Sequence, residues 1–245
     1  MRLFSQAVVI AFLTASSALA PSMAQENQLT PAQQKAGWQL LFDGKDMNGW
    51  HVAATGEPVT GVLIQDGVLT LQKSAHHQGD VVTDRTFTNF ELLADFNIEP
   101  GGNSGIKYFV NDQVNAAAHD HQLGFEYQIL DDDKHPDAKL GHDGDRRTAS
   151  LYDILPSHTA GAYRGPGVWN TARIVVRGNH GEHWLNGVKV LQYDRASQDF
   201  KAAFTQSKFT HFSGFADAPN GHILLQDHGD TVHFRNIRIR ELPAQ

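Results

Sequence analysis

The residues best suited to chemistry lie in the stretch Gly124-Phe125-Glu126-Tyr127-Gln128-Ile129-Leu130-Asp131. Its residue types favour a strand, on which successive side chains point to opposite faces. Glu126, Gln128 and Leu130 therefore share one face, and Phe125, Tyr127 and Ile129 share the other. The second face reads as core. The first carries a carboxylate able to move a proton or hold a metal, and an amide able to grip a hydroxyl, both on a rigid element. An edge strand with its polar face in water accounts for the same residues.

A second constellation is Gln226-Asp227-His228-Gly229, at the end of the strand opened by His222-Ile223-Leu224-Leu225. Strand alternation puts Gln226 and His228 on one face and Asp227 on the other, unless the chain bends there. Imidazoles exchange protons near neutral pH, so His228 suits a proton shuttle; alternatively, Asp227 and His228 fix a turn by hydrogen bonds. Asn103 lies within, and Lys107 just after, the glycine cluster Gly101-Gly102-Asn103-Ser104-Gly105. Lys107 either polarises a substrate oxygen or forms an ion pair. Tyr152 either donates to a ligand oxygen or is a buried, satisfied tyrosine. Arg146 and Arg147 sit in a polar loop, where they contact substrate hydroxyls or solvent. Trp50, after the Asn48-Gly49 turn, is either core or a stacking platform for a sugar. As metal ligands the candidates are weak: His119 and His121, spaced as in some zinc sites, and Asp131 at the head of the Asp131-Asp132-Asp133 run.

These residues are positioned by an all-β chain. Asp66-Gly67 between Leu63-Ile64 and Val68-Leu69, and Asn186-Gly187 between Trp184-Leu185 and Val188, are tight hairpin turns. Phe90 to Ile98 alternates as a half-buried strand, with Leu93 its one apolar exception. The glycine cluster predicts a sharp reversal before a strand at Ile106 to Val110. In the last strand the apolar phase slips between Phe234 and Ile237, predicting a bulge near Arg235-Asn236. Helical periods are scarce, Asp199 to Ser207 being the best. Short strands with Gly-rich turns and no βαβ alternation predict an antiparallel sandwich or jelly roll.

Residues 1–24 have the parts of a secretory signal: Arg2, an apolar run from Ala7 to Leu13, and small residues ending at Ala24, the expected cut. The run is too short to span a bilayer. Residues 25–36 form a tail or short helix, with Thr30-Pro31 as cap and first turn. About 220 residues remain after the cut, enough for one sizeable core. Cysteine is absent, so burial alone must stabilise the fold. A net charge of −7 without a basic run argues against nucleic acid as partner. The expected address is periplasmic or secreted, with no membrane span.

Several blocks in order, LFDGKDMNGW, GGNSGIKYF, GFEYQILDDDKHPDAKLG, SLYDILP, GVWNTARIVV, EHWLNGVKVLQYD and HILLQDHGDTVHFRNIRIREL, make residues 37–242 resemble the 3-keto-disaccharide hydrolase domain family. The resemblance implies a jelly roll of the concanavalin and laminin-G type, with the ligand site on the concave sheet. It also implies action on glycosides already oxidised to a ketone at C3. That ketone acidifies the C2 hydrogen, so a base can remove it, the C1 aglycone can leave, and water can add back. Such chemistry differs from that of glycosidases built on two carboxylates. It needs a base near C2, a positive or hydrogen-donating group at the C3 oxygen, and an acid for the leaving oxygen. Glu126 matches the family's strand glutamate, as base or metal ligand; with His228 it forms the expected acid/base pair. Asn103, Lys107, Gln128, Tyr152, Arg146, Trp50, Gln226 and Asp227 are the expected substrate contacts. No cofactor is certain, although a divalent ion on the sugar oxygens would suit an enolate. A non-catalytic carbohydrate-binding module of the same fold, or a structural adhesion domain, is the alternative.

Overall fold

The computed structural model describes residues 26–72, 79–111, 114, 122–159 and 161–244. The leader-like residues 1–24 and the His119/His121 pair lie outside the described residues.

The chain forms two stacked antiparallel sheets, a jelly-roll sandwich. The larger holds eight strands: β1 (Gln39–Leu40), β3 (Leu63–Gln65), β4 (Val68–Leu71), β6 (Phe90–Ile98), β9 (Asn170–Arg177), β10 (His180–Leu185), β11 (Val188–Asp194) and β13 (Val232–Glu241). Their order is β11-β10-β9-β6-β13-β4-β3, with β1 also paired to β13. The smaller holds β2 (Trp50–Val52), β5 (Val81–Phe87), β7 (Asn103–Val110), β8 (Phe125–Leu130) and β12 (Gly221–Leu225), ordered β2-β5-β12-β7-β8. Among the described residues, no helix is long and apolar enough to cross a membrane.

Local sequence explains the main elements. Both expected hairpin turns have positive φ at both central residues, Asp66 and Gly67 in one, Asn186 and Gly187 in the other. That geometry matches the twist of paired strands. On β6, Phe90, Leu92, Ala94, Phe96 and Ile98 are all buried, as their alternation requires. The β13 bulge falls at Arg235–Arg238, where Asn236 takes φ 55° and Phe234 and Ile237 both reach the core. Thr30 caps the helix Pro31–Lys35. The glycine reversal ends sooner than expected, because Asn103, Ser104 and Gly105 already pair with Leu130, Ile129 and Gln128 of β8.

Between the sheets lies a polar chain inside an aromatic core. His183 Nδ1 is 2.9 Å from the carbonyl of Ala149, which can only accept, so this nitrogen carries the proton. Nε2 must then accept from the Tyr108 hydroxyl at 2.8 Å, and Tyr108 in turn accepts from Tyr193 at 2.9 Å. Burial pushes the His183 imidazole down to about 4, so it stays neutral.

β8 lies at the end of its sheet, yet both its faces and its free edge are covered. The loop after it returns to pair: Gln128 N–H donates to the Ser150 carbonyl, Ala149 N–H to that of Gln128, and Tyr152 N–H to that of Glu126. Glu126 and Gln128 are 5% and 1% exposed, so the reading of a polar strand face in open water does not hold.

Candidate functional site

On the outer face of the five-stranded sheet is a cleft of about 580 Å³, a size typical of small-molecule sites. Its floor comes from β7 and β8 and one bank from the residues after β12. The other bank is the loop carrying Tyr152 and the one-turn helix Lys208–His211.

Glu126 is at its centre. In register it faces Lys107 across the β7–β8 pair, and its side chain lies over Gly105. A Cβ at Gly105 would collide with the Glu126 carboxylate, so this approach requires glycine. Burial pushes the Glu126 carboxyl up to about 7. Lys107 and Lys208 oppose that rise, while Asp80 and Asp137 add to it. The group is therefore poised to take and return a proton near neutrality.

Around it are polar groups with unused hydrogen-bonding capacity. Asn103 is 3% exposed, yet its Oδ1 has no partner among the described residues, and the buried Oε1 of Gln226 has none either. Buried polar atoms are nearly always paired, so a pair of exceptions lining one cleft points to a ligand that completes them. Gln128 spends its Oε1 on the N–H of Ile129. The Tyr152 hydroxyl accepts from Lys208 Nζ at 3.1 Å. Burial, with Asp137 adding by its charge and by accepting a hydrogen bond from the phenol, holds that group well above its ordinary value, so it keeps its proton.

β12 ends at Leu225, and the chain then bends so that Gln226, Asp227 and His228 all line the cleft; strict alternation would have sent Asp227 away. Asp227 does fix the turn: its carboxylate accepts the Gly229 N–H, and its own N–H donates to Asp80 at 2.8 Å. His228 stands exposed at the rim, its ring edge-to-face with His135.

The cleft thus gathers Glu126, His228, Asn103, Lys107, Gln128, Tyr152, Gln226 and Asp227. Three expectations need correction. Trp50 is 4% exposed in the core, where its indole N–H donates to the Leu41 carbonyl, and it offers no sugar platform. Arg146 does not line the cleft; its guanidinium is held by Asp137 at 2.8 Å and Asp153 at 2.6 Å and lies over the Tyr152 ring. Asp131 is a turn cap, accepting the N–H groups of Gly101, Asp133 and Lys134. Among the described residues, no group of three or more His, Asp or Glu side chains could hold a metal ion.

Lys208, Asp80, Phe209 and Phe212 line the cleft although the sequence did not single them out. Asp80 follows Gly79 with no periodic signal. Lys208 is brought in by Asp153, whose Oδ2 accepts its N–H at 2.8 Å and the Ser207 hydroxyl at 3.3 Å. The one available clue was Ser207, a helix-capping residue type ahead of that turn.

Fold and cleft define a jelly-roll sandwich with a polar, sugar-sized hollow on its smaller sheet. Residues 37–240 match the model of the 3-keto-alpha-glucoside-1,2-lyase-like domain, and the chain belongs to that family. It is 34% identical, over 84% of its length and 79% of the relative's, to a 3-keto-disaccharide hydrolase of Bacteroides thetaiotaomicron. Two crystal structures of candidate glycosyl hydrolases from Parabacteroides distasonis are also similar. One has a TM-score of 0.78 at 31% identity, covering 89% of this chain and all of that one. The other has 0.64 at 27%, covering 84% and 99%.

Proposed function

We propose that the protein is an exported enzyme that cleaves 3-keto-glycosides, 3-keto-disaccharides among them, by elimination followed by hydration. The observation that carries this reading is the buried carboxyl of Glu126, pushed up to about 7 at the centre of a cleft rich in hydrogen-bonding groups. Ordinary glycosidases need two carboxylates across the bond, whereas removing an acidified C2 hydrogen needs one base.

In this reading Glu126 takes the C2 proton, and the C2–H electron pair forms a C2=C3 bond as the C3 oxygen becomes an enolate. The enolate then re-forms the ketone and expels the C1 aglycone, whose oxygen takes a proton from His228. Water adds to C1 of the unsaturated ketone and gives its proton to His228, restoring it, while Glu126 returns its proton to C2. Asn103 and Gln226 supply acceptors for sugar hydroxyls, and Gln128 an amide donor. Phe209 and Phe212 form an apolar bank beside the leaving group. The leader-like residues 1–24 support export to the periplasm or beyond.

A 3-keto-glucoside with a chromogenic aglycone tests the proposal. The wild type is expected to release the chromophore, with a rate that rises with pH through about 7 as Glu126 ionises. Glu126→Gln should lower that rate about 10³-fold. Saturable binding without release would instead make the protein a carbohydrate-binding module.

A further inference from the structure

The elimination needs a positive or hydrogen-donating group at the C3 oxygen, and three cations lie at or near the cleft. Two are committed elsewhere. Lys107 Nζ donates to the Gln122 carbonyl at 3.0 Å and lies 3.8 Å from the Asp80 carboxylate. Arg146 is divided between Asp137 and Asp153. Lys208 differs: among the described residues its ammonium makes one hydrogen bond, to the Tyr152 hydroxyl at 3.1 Å, and rests 4.3 Å from the centre of that ring. Among the described residues no carboxylate is within ion-pair distance of it. An ammonium has three N–H donors, so most of its donor capacity is available to a ligand.

Its backbone is anchored while its head is free. Asp153, 5% exposed, binds the Lys208 N–H, the Ser207 hydroxyl and the Arg146 guanidinium together. That fixes the stem over the cleft opposite Glu126 without consuming the charge. Resting on the reading above, we propose that Lys208, braced by the Tyr152 hydroxyl, forms the ketone-recognising site: the ammonium donates to the C3 oxygen of the substrate. As Glu126 takes the C2 proton, negative charge moves onto that oxygen, and a preplaced cation there acts mainly in the transition state. The Lys208 charge is felt at Glu126, and burial, ahead of the opposing pull of Asp153, lowers the ammonium below its ordinary value. A 3-hydroxyl could accept the same bond but could not take up the charge, so Lys208 separates oxidised from unoxidised sugars by rate more than by binding.

The test measures two signals on one 3-keto-glucoside: deuterium entering C2 from D₂O, followed by NMR, and aglycone release. Lys208→Met is expected to lower both by about 10²- to 10³-fold, as loss of an oxyanion donor does, while KM changes less than about tenfold. Lys208→Arg should recover part of the loss, and Lys208→Gln, which keeps most of the stem, should not. Tyr152→Phe should cost about tenfold in kcat. If Lys208→Met and Lys208→Gln fold and keep rates within twofold of wild type, the assignment is overturned. A wild type that neither exchanges nor releases overturns the 3-keto reading itself and this assignment with it, so the two failures are distinguishable.

Discussion

The two sides of the five-stranded sheet treat polar groups in opposite ways. Against the inner face, Tyr108 of β7 joins Tyr193 of β11, His183 of β10 and the Ala149 carbonyl in an unbroken donor-to-acceptor chain, and His183 is kept neutral. On the outer face Asn103 Oδ1 and Gln226 Oε1 lack partners among the described residues, and a carboxyl is held near 7. The inner arrangement lowers the energy of the chain by itself, whereas the outer one does so only when something else supplies the missing bonds. Unequal satisfaction of polar groups, more than burial, marks which face is the site.

The contrast predicts that outer-face changes relieve strain at the expense of turnover, while inner-face changes do the reverse. The largest effect on folding concerns Glu126. Its folded pKa of about 7 lies above the ordinary 4.5, so its contribution to stability is full below about pH 4.5 and is lost as pH rises through 7. Glu126→Gln should therefore be more stable than wild type at pH 8, by up to about 3 kcal/mol, with the advantage falling to about 1 kcal/mol by pH 5. Urea titrations at both pH values measure it. A variant equally or less stable at pH 8 would remove the claim that burial raises this carboxyl.

Gly105→Ala comes next. The methyl must push the Glu126 carboxylate aside, and a displacement of about 1 Å at a reacting group can cost on the order of 100-fold in rate. The expected signature is a fall in kcat with unchanged circular dichroism; a variant with normal kcat shows that the carboxylate does not need its place over Gly105. Tyr108→Phe is the smallest and acts on the other face. It removes the donor to His183 and the acceptor for Tyr193, with an expected loss of about 1–3 kcal/mol in stability. Its kcat should stay within a factor of two, and a larger kinetic defect than folding defect would erase the distinction between the faces.

The hairpins and the central strand were legible because their signals are local. Asp66-Gly67 and Asn186-Gly187 adopt the positive φ those residues tolerate, and the alternation of Phe125 to Leu130 assigned its two faces correctly. The strand glutamate, the segment after β12 and the glycine turn do meet in one hollow. Trp50 was ambiguous since one side chain suits either a core or a sugar face, and burial decides between them only after folding. Lys208 and Asp80 were hidden for another reason: each reaches the cleft through a loop held by distant partners, Asp153 for one and Asp227 for the other. Nothing periodic encodes such long-range hydrogen bonds. Arg146 shows the converse, a loop cation whose partners Asp137 and Asp153 could not be inferred from spacing.

The pairing of residues 149–152 along the outer edge of β8 has an effect beyond the cleft. A terminal strand with apolar neighbours and unpaired amides is a template for self-association, and this chain shields it with the very segment that brings Tyr152 into position. Lesions in that segment should then surface as precipitation during expression before they can be scored as lost turnover, so a screen that assays only soluble material will underestimate how many of its positions matter.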